Sequence, residues 1–353
     1  MCKFRSKAFL AQGVLAVVTA AGCEKTFPVT VYPEFYSPEL KTVAVLPFSN
    51  ASLEPRAGQF VTERVVSALK ENRTYEVLGP AELKARLAAV GVNLPSDPPP
   101  GLATDALRRL GGVQAFVIGR VTAFDAETYR RGAVHFAASY GYGSGHHRHR
   151  RHGRGYYDPY YDYGYYDPIY YYRTYGHAYA AVEVALVSVA SGETIYSSAG
   201  PISARADYVG DPPVTGESLL AEAAASVSRE VVNRLAVVPG LVKVDPGRDL
   251  RTARRADGGE IEFDDDFDAD EEEILVLLRL PPEADRNGFR LTIAAEDADQ
   301  ELAAESFVWS RKDQVRQFVF SPLELSRAFG RGEYEVGFQA HDKVIMKRKF
   351  RLK

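Results

Sequence analysis

Between Lys41 and Leu235 the sequence alternates two apolar patterns, and few architectures accommodate that alternation. KTVAVLPF (Lys41–Phe48) is a short run rich in β-branched residues and reads as a buried strand. Val61, Val65 and Leu69 then recur at fourfold spacing and predict a helix ending near Asn72. YEVL (Tyr75–Leu78) is a second strand, Gly79-Pro80 a break, and Ala81–Val90 a helix with Leu83 and Leu87 on one face. Asn93–Gly101 carries four prolines and is expected to be irregular. Thr104–Leu110 is a short helix, Ala115–Phe124 a third strand, and Ala180–Ser198 a hairpin turning at Ser191-Gly192. Leu219, Ala223, Val227, Val231 and Leu235 form the stripe of a last helix. The expected class is an α/β mixed sheet with packed helices, in the order β-α-β-α-β-β-β-α, over residues 41–240.

Past this region the pattern changes. Gly247–Ala269 is polar and runs into the acidic block Asp264–Glu273, so residues 241–272 read as a solvated acidic linker. A calcium loop of the EF-hand type needs a glycine at its sharp turn, and none sits in that block. Residues 273–353 hold only strand-like runs: EILVLLRL, FRLTIAAE, ESFVWS, QFVFS, YEVGFQA and KVIMKRKFRLK. The last two are joined through His341-Asp342 as a hairpin. A small all-β, sandwich-like domain is expected there, with Trp309 in its core.

The N-terminus bears on location. Lys3, Arg5 and Lys7 precede an uncharged run of fourteen residues, Ala8–Ala21, ahead of Cys23. A spanning helix needs about 20 residues, so residues 1–22 read as an export signal. Ala20-Ala21-Gly22-Cys23 is similar to a bacterial lipobox, which makes Cys23 the lipidation site; Ala20 departs from the leucine usual there. Cys2 would leave with the signal, so no internal disulfide is available to the exported chain. Glu24, rather than Asp, follows the cysteine and points to the outer membrane. Residues 23–40, with Pro28, Pro33 and Pro38, are expected to be a tether. The formal net charge of −4 names no partner.

VAVLPF, YEVLGPAELKARL, LGGVQAFVIGRVTAF and VEVALVSVASGETIYSS, taken in order, resemble a known envelope domain. It is shared by the curli secretion channel lipoprotein CsgG, the penicillin-binding-protein activator LpoB and the N-terminal domain of TolB. The likeness spans about Lys41 to Pro239 and leaves the C-terminal β region unmatched. Proteins of this kind bind, scaffold or form pores, so the resemblance implies no catalytic residues and no cofactor. The residues themselves agree. They show no phosphate-cradling glycine loop, no zinc-type Cys/His spacing and no nucleophile elbow. Asp125 and Glu127, a carboxylate pair at a strand end, read as solvated, and His135 and His341 as isolated surface or packing residues.

One stretch, residues 126–178, interrupts the domain. It holds His146, His147, His149 and His152 among arginines, followed by eleven tyrosines up to His177. In the curli channel family this connection carries one of two membrane-crossing hairpins. Ala133–Tyr142 alternates over the ten residues a tilted membrane strand needs, about 9–11, and Tyr170–Tyr179 would return. That makes Phe136, Tyr140, Tyr142, Tyr170 and Tyr172 candidate membrane or ligand contacts. Against a pore stand Arg173 and the second slot, whose Asp211-Pro212-Pro213 is unsuited to two membrane strands. The four histidines are a candidate weak metal site, opposed by neighbouring arginines and the lack of an orienting carboxylate. Arginine beside YYD repeats also suits stacking on glycans or anionic headgroups. A low-complexity loop without a fixed ligand is the simplest reading of the stretch from Gly145 to His177.

The expectation is a non-enzymatic outer-membrane lipoprotein facing the periplasm. It would serve as a binding or assembly accessory factor in envelope biogenesis or secretion. Its partners would be the membrane, through the lipid, and envelope proteins, glycan or peptidoglycan, with homo-oligomerisation open and nucleic acid excluded by export. The alternative is a subunit of an oligomeric CsgG-like secretion pore.

Overall fold

The structure, a computed structural model, describes residues 24–95, 98–138, 166–256, 260–295 and 301–353, with backbone alone for 133–138 and 166–171. It divides into two compact units, Pro33–Val238 and a second formed by Pro239–Lys353 with the chain's start up to Tyr32. The chain opens on strand β1 (Lys25–Val31), which belongs to the second unit.

The Pro33–Val238 unit runs β2 (Thr42–Val45), β3 (Ser49–Asn50), α1 (Ala57–Asn72), β4 (Glu76–Leu78), α2 (Pro80–Ala89) and α3 (Pro100–Leu110). It continues with β5 (Ala115–Ala138), β6 (Tyr166–Ser188), β7 (Thr194–Ser197), β8 (Ile202–Gly210) and α4 (Gly216–Leu235). The sheet order is β4-β2-β5-β6-β7. Its β4-β2-β5 part is parallel and its β5-β6-β7 part antiparallel, so the sheet is mixed.

Strand alternation sends Val43 and Val45 to one face and Ala44 and Leu46 to the other. Val61, Val65 and Leu69 of α1 and Val227, Val231 and Leu235 of α4 cover the first face. Leu83 and Leu87 of α2 and Leu107 of α3 cover the second. Each fully buried Val or Leu contributes about 1.5–3 kcal/mol, so these stripes carry the unit's stability. Helix ends follow local chemistry. Pro80 and Pro100 open α2 and α3 at positions where a missing N–H loses no bond, so α3 starts inside the proline-rich stretch expected to be irregular. The Thr215 hydroxyl caps α4 by accepting from the Ser218 N–H at 3.2 Å.

The second unit adds β9 (Val238–Val244), α5 (Pro246–Asp249), β10 (Leu250–Arg255), β11 (Ile261–Phe263), β12 (Asp266–Phe267) and β13 (Ile274–Leu278). Then come β14 (Gly288–Ala295), β15 (Glu301–Val308), β16 (Arg316–Phe320), α6 (Pro322–Phe329), β17 (Gly332–Ala340) and β18 (Lys343–Leu352). A four-stranded sheet, β11-β10-β13-β16, and a five-stranded one, β12-β18-β17-β14-β15, contribute to one core that includes Trp309, Phe338 and Tyr334. The β17–β18 turn has His341 and Asp342 both at positive φ, the backbone that a tight two-residue hairpin requires.

Two segments differ from the sequence expectation. The tether of residues 23–40 contains β1, whose Phe27 and Val29 are 1% and 4% exposed in the second unit's core and which pairs with β9. The linker of residues 241–272 contains most of β9, α5, and β10 to β12. Its acidic residues are held by distant cations: Asp264 and Glu271 by Arg254, Glu273 by Arg255, Asp265 by Arg348 and Asp266 by Lys353. Pairing with β10 and β18 turns a run that would repel itself in solution into part of the fold. The compact second unit thus takes in these strands, from Pro239 onward, together with β1.

Candidate functional site

Strands β5 and β6 outrun the sheet that roots them. Parallel pairing on the outer edge of β5 ends at Asn50 opposite Val121. The β5–β6 register continues unbroken from Ala123 opposite Ala181 to Ala138 opposite Tyr166. On the far edge of β6, strand β8 pairs from Val182 opposite Ile202 to Thr174 opposite Gly210. The result is a three-stranded arm, narrowing to two strands beyond Gly210. Among the described residues both outer edges of the arm, β5 beyond Val121 and β8, are unpaired.

The two faces of the arm differ. Thr174, Ala178, Ala180 and Val182 are buried on the face that α4 covers. Gly176 belongs to that row, where a Cβ would come within 2.5 Å of the Leu219 side chain of α4. Only glycine lets the helix sit this close. The opposite face is open and builds cross-strand rows. Asp125, Tyr179 and Arg205 share one row, Glu127, His177 and Asp207 the next, Tyr129, Tyr175 and Val209 the third, and Arg131 and Arg173 the last. The Tyr129 and Tyr175 rings stack with centroids 5.4 Å apart. His177 Nε2 lies 3.5 Å from a Glu127 carboxylate oxygen, and Arg205 Nε donates to Asp207 at 2.7 Å. Val209 is 60% exposed; Tyr172, 55% exposed, stands on the other face in the row of Thr174, with the Arg130 guanidinium 5.8 Å from its ring. At the arm's base a 530 Å³ cavity opens between the start of α3 (Pro98–Pro100), Leu46 and Pro47, and the cross-strand pair Arg120 and Glu183.

This surface is built for contact. Stacked tyrosines, mixed charges in rows and free backbone edges suit a protein, a peptide strand or a glycan. No group of three His, Cys, Asp or Glu residues among the described ones is arranged to hold a metal ion. Among the described residues no helix is long and apolar enough to cross a membrane, which leaves strand crossings untouched.

Of the residues singled out in the sequence, Tyr172 lies exposed on the arm, and the backbone places Phe136 opposite Pro168 and Tyr170 opposite Val134. Tyr140, Tyr142, His146, His147, His149, His152 and Cys23 lie outside the described residues. Within the 126–178 stretch, residues 126–138 and 166–178 are strand, so its loop reading now applies only to residues outside the described ones. Arg173 stands directly opposite Arg131, a like-charge pair that disfavours an apolar setting at this level. Sequence reasoning missed β8, although ISARADYVG carries the signal: Ile202 and Ala206 are buried, while Ser203, Arg205, Asp207 and Val209 alternate with them outward. The second hairpin slot thus holds one strand that widens the first hairpin.

The family model described as "Curli production assembly/transport component CsgG" matches residues 16–232. A search of curated proteins returned no match. Solved structures similar to this chain include a PelC dodecamer from Paraburkholderia phytofirmans, at 11% identity over 60% of this chain and 98% of that one, with a TM-score of 0.28. Lipoprotein GNA1162 from Neisseria meningitidis aligns at 13% identity over 55% of this chain and 99% of that one, with a TM-score of 0.30. The hypothetical protein CT253 from Chlamydia trachomatis aligns at 12% identity over 55% and 95%, with a TM-score of 0.29.

Proposed function

The chain belongs to the CsgG family, and from that premise we propose that it is a non-enzymatic lipoprotein of the outer membrane, anchored through Cys23 and facing the periplasm. In this reading it is an accessory or assembly factor for envelope biogenesis or secretion, and the β5–β6–β8 arm is where it holds its partner, an envelope protein or peptidoglycan. The observation that carries the reading is the arm's open face, where Tyr129, Tyr179 and Val209 are exposed and Tyr175 stacks on Tyr129, on a ribbon backed by α4. A rigid display of aromatic side chains loses little conformational freedom on binding, which is what a recognition surface requires.

A second reading, a subunit of an oligomeric secretion pore, is favoured by the length of the hairpin, 24 residues in β5 and 23 in β6. Opposing it, the flank of the arm carries Asp125, Glu127, Arg131 and Arg173, and a charged residue facing lipid costs about 2–4 kcal/mol for Arg at mid-bilayer. Mass measurement of the detergent-extracted protein separates the two. The accessory reading predicts a particle without bilayer conductance. A large ring that conducts in planar bilayers would replace it with the pore. The anchor has its own test: a palmitate analogue should label the wild type and not Cys23→Ser, and equal labelling of both would reject lipidation at this residue.

A further inference from the structure

The Pro239–Lys353 unit holds a second concave site that the arm's role does not use. A 720 Å³ cavity is lined by Lys243, Arg248, Arg279 and Arg311, with Asp249 and Asp313, and Trp309 forms part of its wall. Ligand sites commonly enclose about 300–1,000 Å³, so the volume suits a small molecule or the end of a chain. Four cations face two carboxylates, and both carboxylates are occupied. Asp249 accepts from the Asp245 N–H at 2.7 Å, and Asp313 lies 3.9 Å from Arg316. Lys243 lies 4.0 Å from a Glu24 carboxylate oxygen, and Arg311 is spent on the fold: it donates to Asp285 at 3.1 Å and to the Tyr32 carbonyl at 3.1 Å. Arg248 and Arg279 are exposed and make no ion pair with a described carboxylate.

Trp309 supplies an independent observation. It is 1% exposed, and its Nε1 is buried with no hydrogen-bond partner among the described residues. A buried indole N–H without an acceptor is unfavourable, and it leaves the ring held in the wall by packing and by its backbone, so that a ligand in the cavity changes its surroundings without touching the N–H. The wall around it is fixed. The Trp309 N–H donates to the Asn287 carbonyl at 3.0 Å, and the Asn287 amide is tied to Thr30 through both its oxygen and its nitrogen. Leu280, Pro281 and Pro282 add an apolar wall against which a ring face can lie. A smaller cavity of 250 Å³ shares Arg248, Asp249, Arg279 and Val315 and extends the cleft to Arg251, whose guanidinium lies 4.7 Å from the Phe263 ring.

We propose that this cleft binds an acidic oligosaccharide, a short run of uronic-acid units. Carboxylates would be taken by Arg248 and Arg279, and ring faces by the wall of Leu280, Pro281 and Pro282. Cations recessed in a cleft beside an apolar wall fit an extended anionic chain better than a flat bilayer surface.

The chain contains one tryptophan, so its fluorescence reports this cavity alone. The experiment titrates the full chain with trigalacturonate, with neutral maltotriose and with phosphatidylglycerol vesicles, and repeats the first titration by calorimetry. The expected result is a saturable fluorescence change with trigalacturonate, none with maltotriose, and weaker binding as salt screens the charges. The double substitution Arg248→Gln with Arg279→Gln should weaken binding at least tenfold while the thermal melt stays unchanged. If that variant melts early, the salt dependence and the maltotriose comparison on the wild type decide instead. No saturable response to trigalacturonate, an equal response to maltotriose, a response confined to vesicles, or undiminished affinity in a folded double variant would each overturn the proposal.

Discussion

Gly176 and Tyr75 are two single residues on which the arm and its backing depend. The α4 helix approaches β6 so closely that a Cβ at position 176 meets the Leu219 side chain, itself 2% exposed. Gly176→Val should destabilise the protein by about 1–3 kcal/mol, as overpacked cores do, and adding Leu219→Ala should restore part of that loss in a thermal melt. Tyr75 is buried, and its hydroxyl donates to the Leu235 carbonyl at 2.7 Å at the end of α4. Burial raises the Tyr75 pKa above the ordinary tyrosine value, with a smaller push from Tyr36. The fold therefore favours the neutral phenol. Its contribution is fully present below the unfolded pKa of about 10 and is lost as pH rises toward the folded value. Tyr75→Phe should cost about 1 kcal/mol at neutral pH and flatten the loss of stability above pH 10, read by denaturant melts across that range.

Elements differ in how far the sequence reveals them, and the difference is physical. The fourfold stripe of α4 and the β-branched runs of β2 and β5 are visible because one packed face imposes one period. Strand β1 was hidden by Pro28, which an edge strand tolerates between the inward-facing Phe27 and Val29. Strand β8 was hidden by the prolines that follow it, although the strand ends at Gly210, before they begin. Helix α6 was missed despite a capping signal: Ser321 accepts from the Glu324 N–H at 3.3 Å, with Pro322 at the first helical position. The acidic block could not be read locally at all, because the partner of Asp265 is Arg348, 83 residues away. Both side chains are partly exposed, so Asp265→Asn should lower stability by only about 1 kcal/mol, and less in high salt. For the arm, replacing Tyr129 and Tyr175 by alanine removes one stacked pair at the surface, with Tyr129 exposed and Tyr175 half-buried, and should shift the melt by about 1 kcal/mol.

At the scale of the whole chain, the sequence reaches the family and the mixed α/β class through segment order, and the matched region, residues 16–232, covers the unit that carries the arm. The arm's open face was less legible. Its rows are assembled from β5, β6 and β8, and cross-strand neighbours such as Glu127, His177 and Asp207 are far apart in sequence. The direct measurement is site-specific photocrosslinking in intact cells, with a photoreactive phenylalanine analogue at Tyr175 or Val209. If the arm holds an envelope partner, both positions should give discrete protein or peptidoglycan adducts, and a probe at Leu53, fully exposed but not part of the arm, should not. Adducts to lipid alone at Tyr175 and Val209 would contradict the account and place the arm in the bilayer.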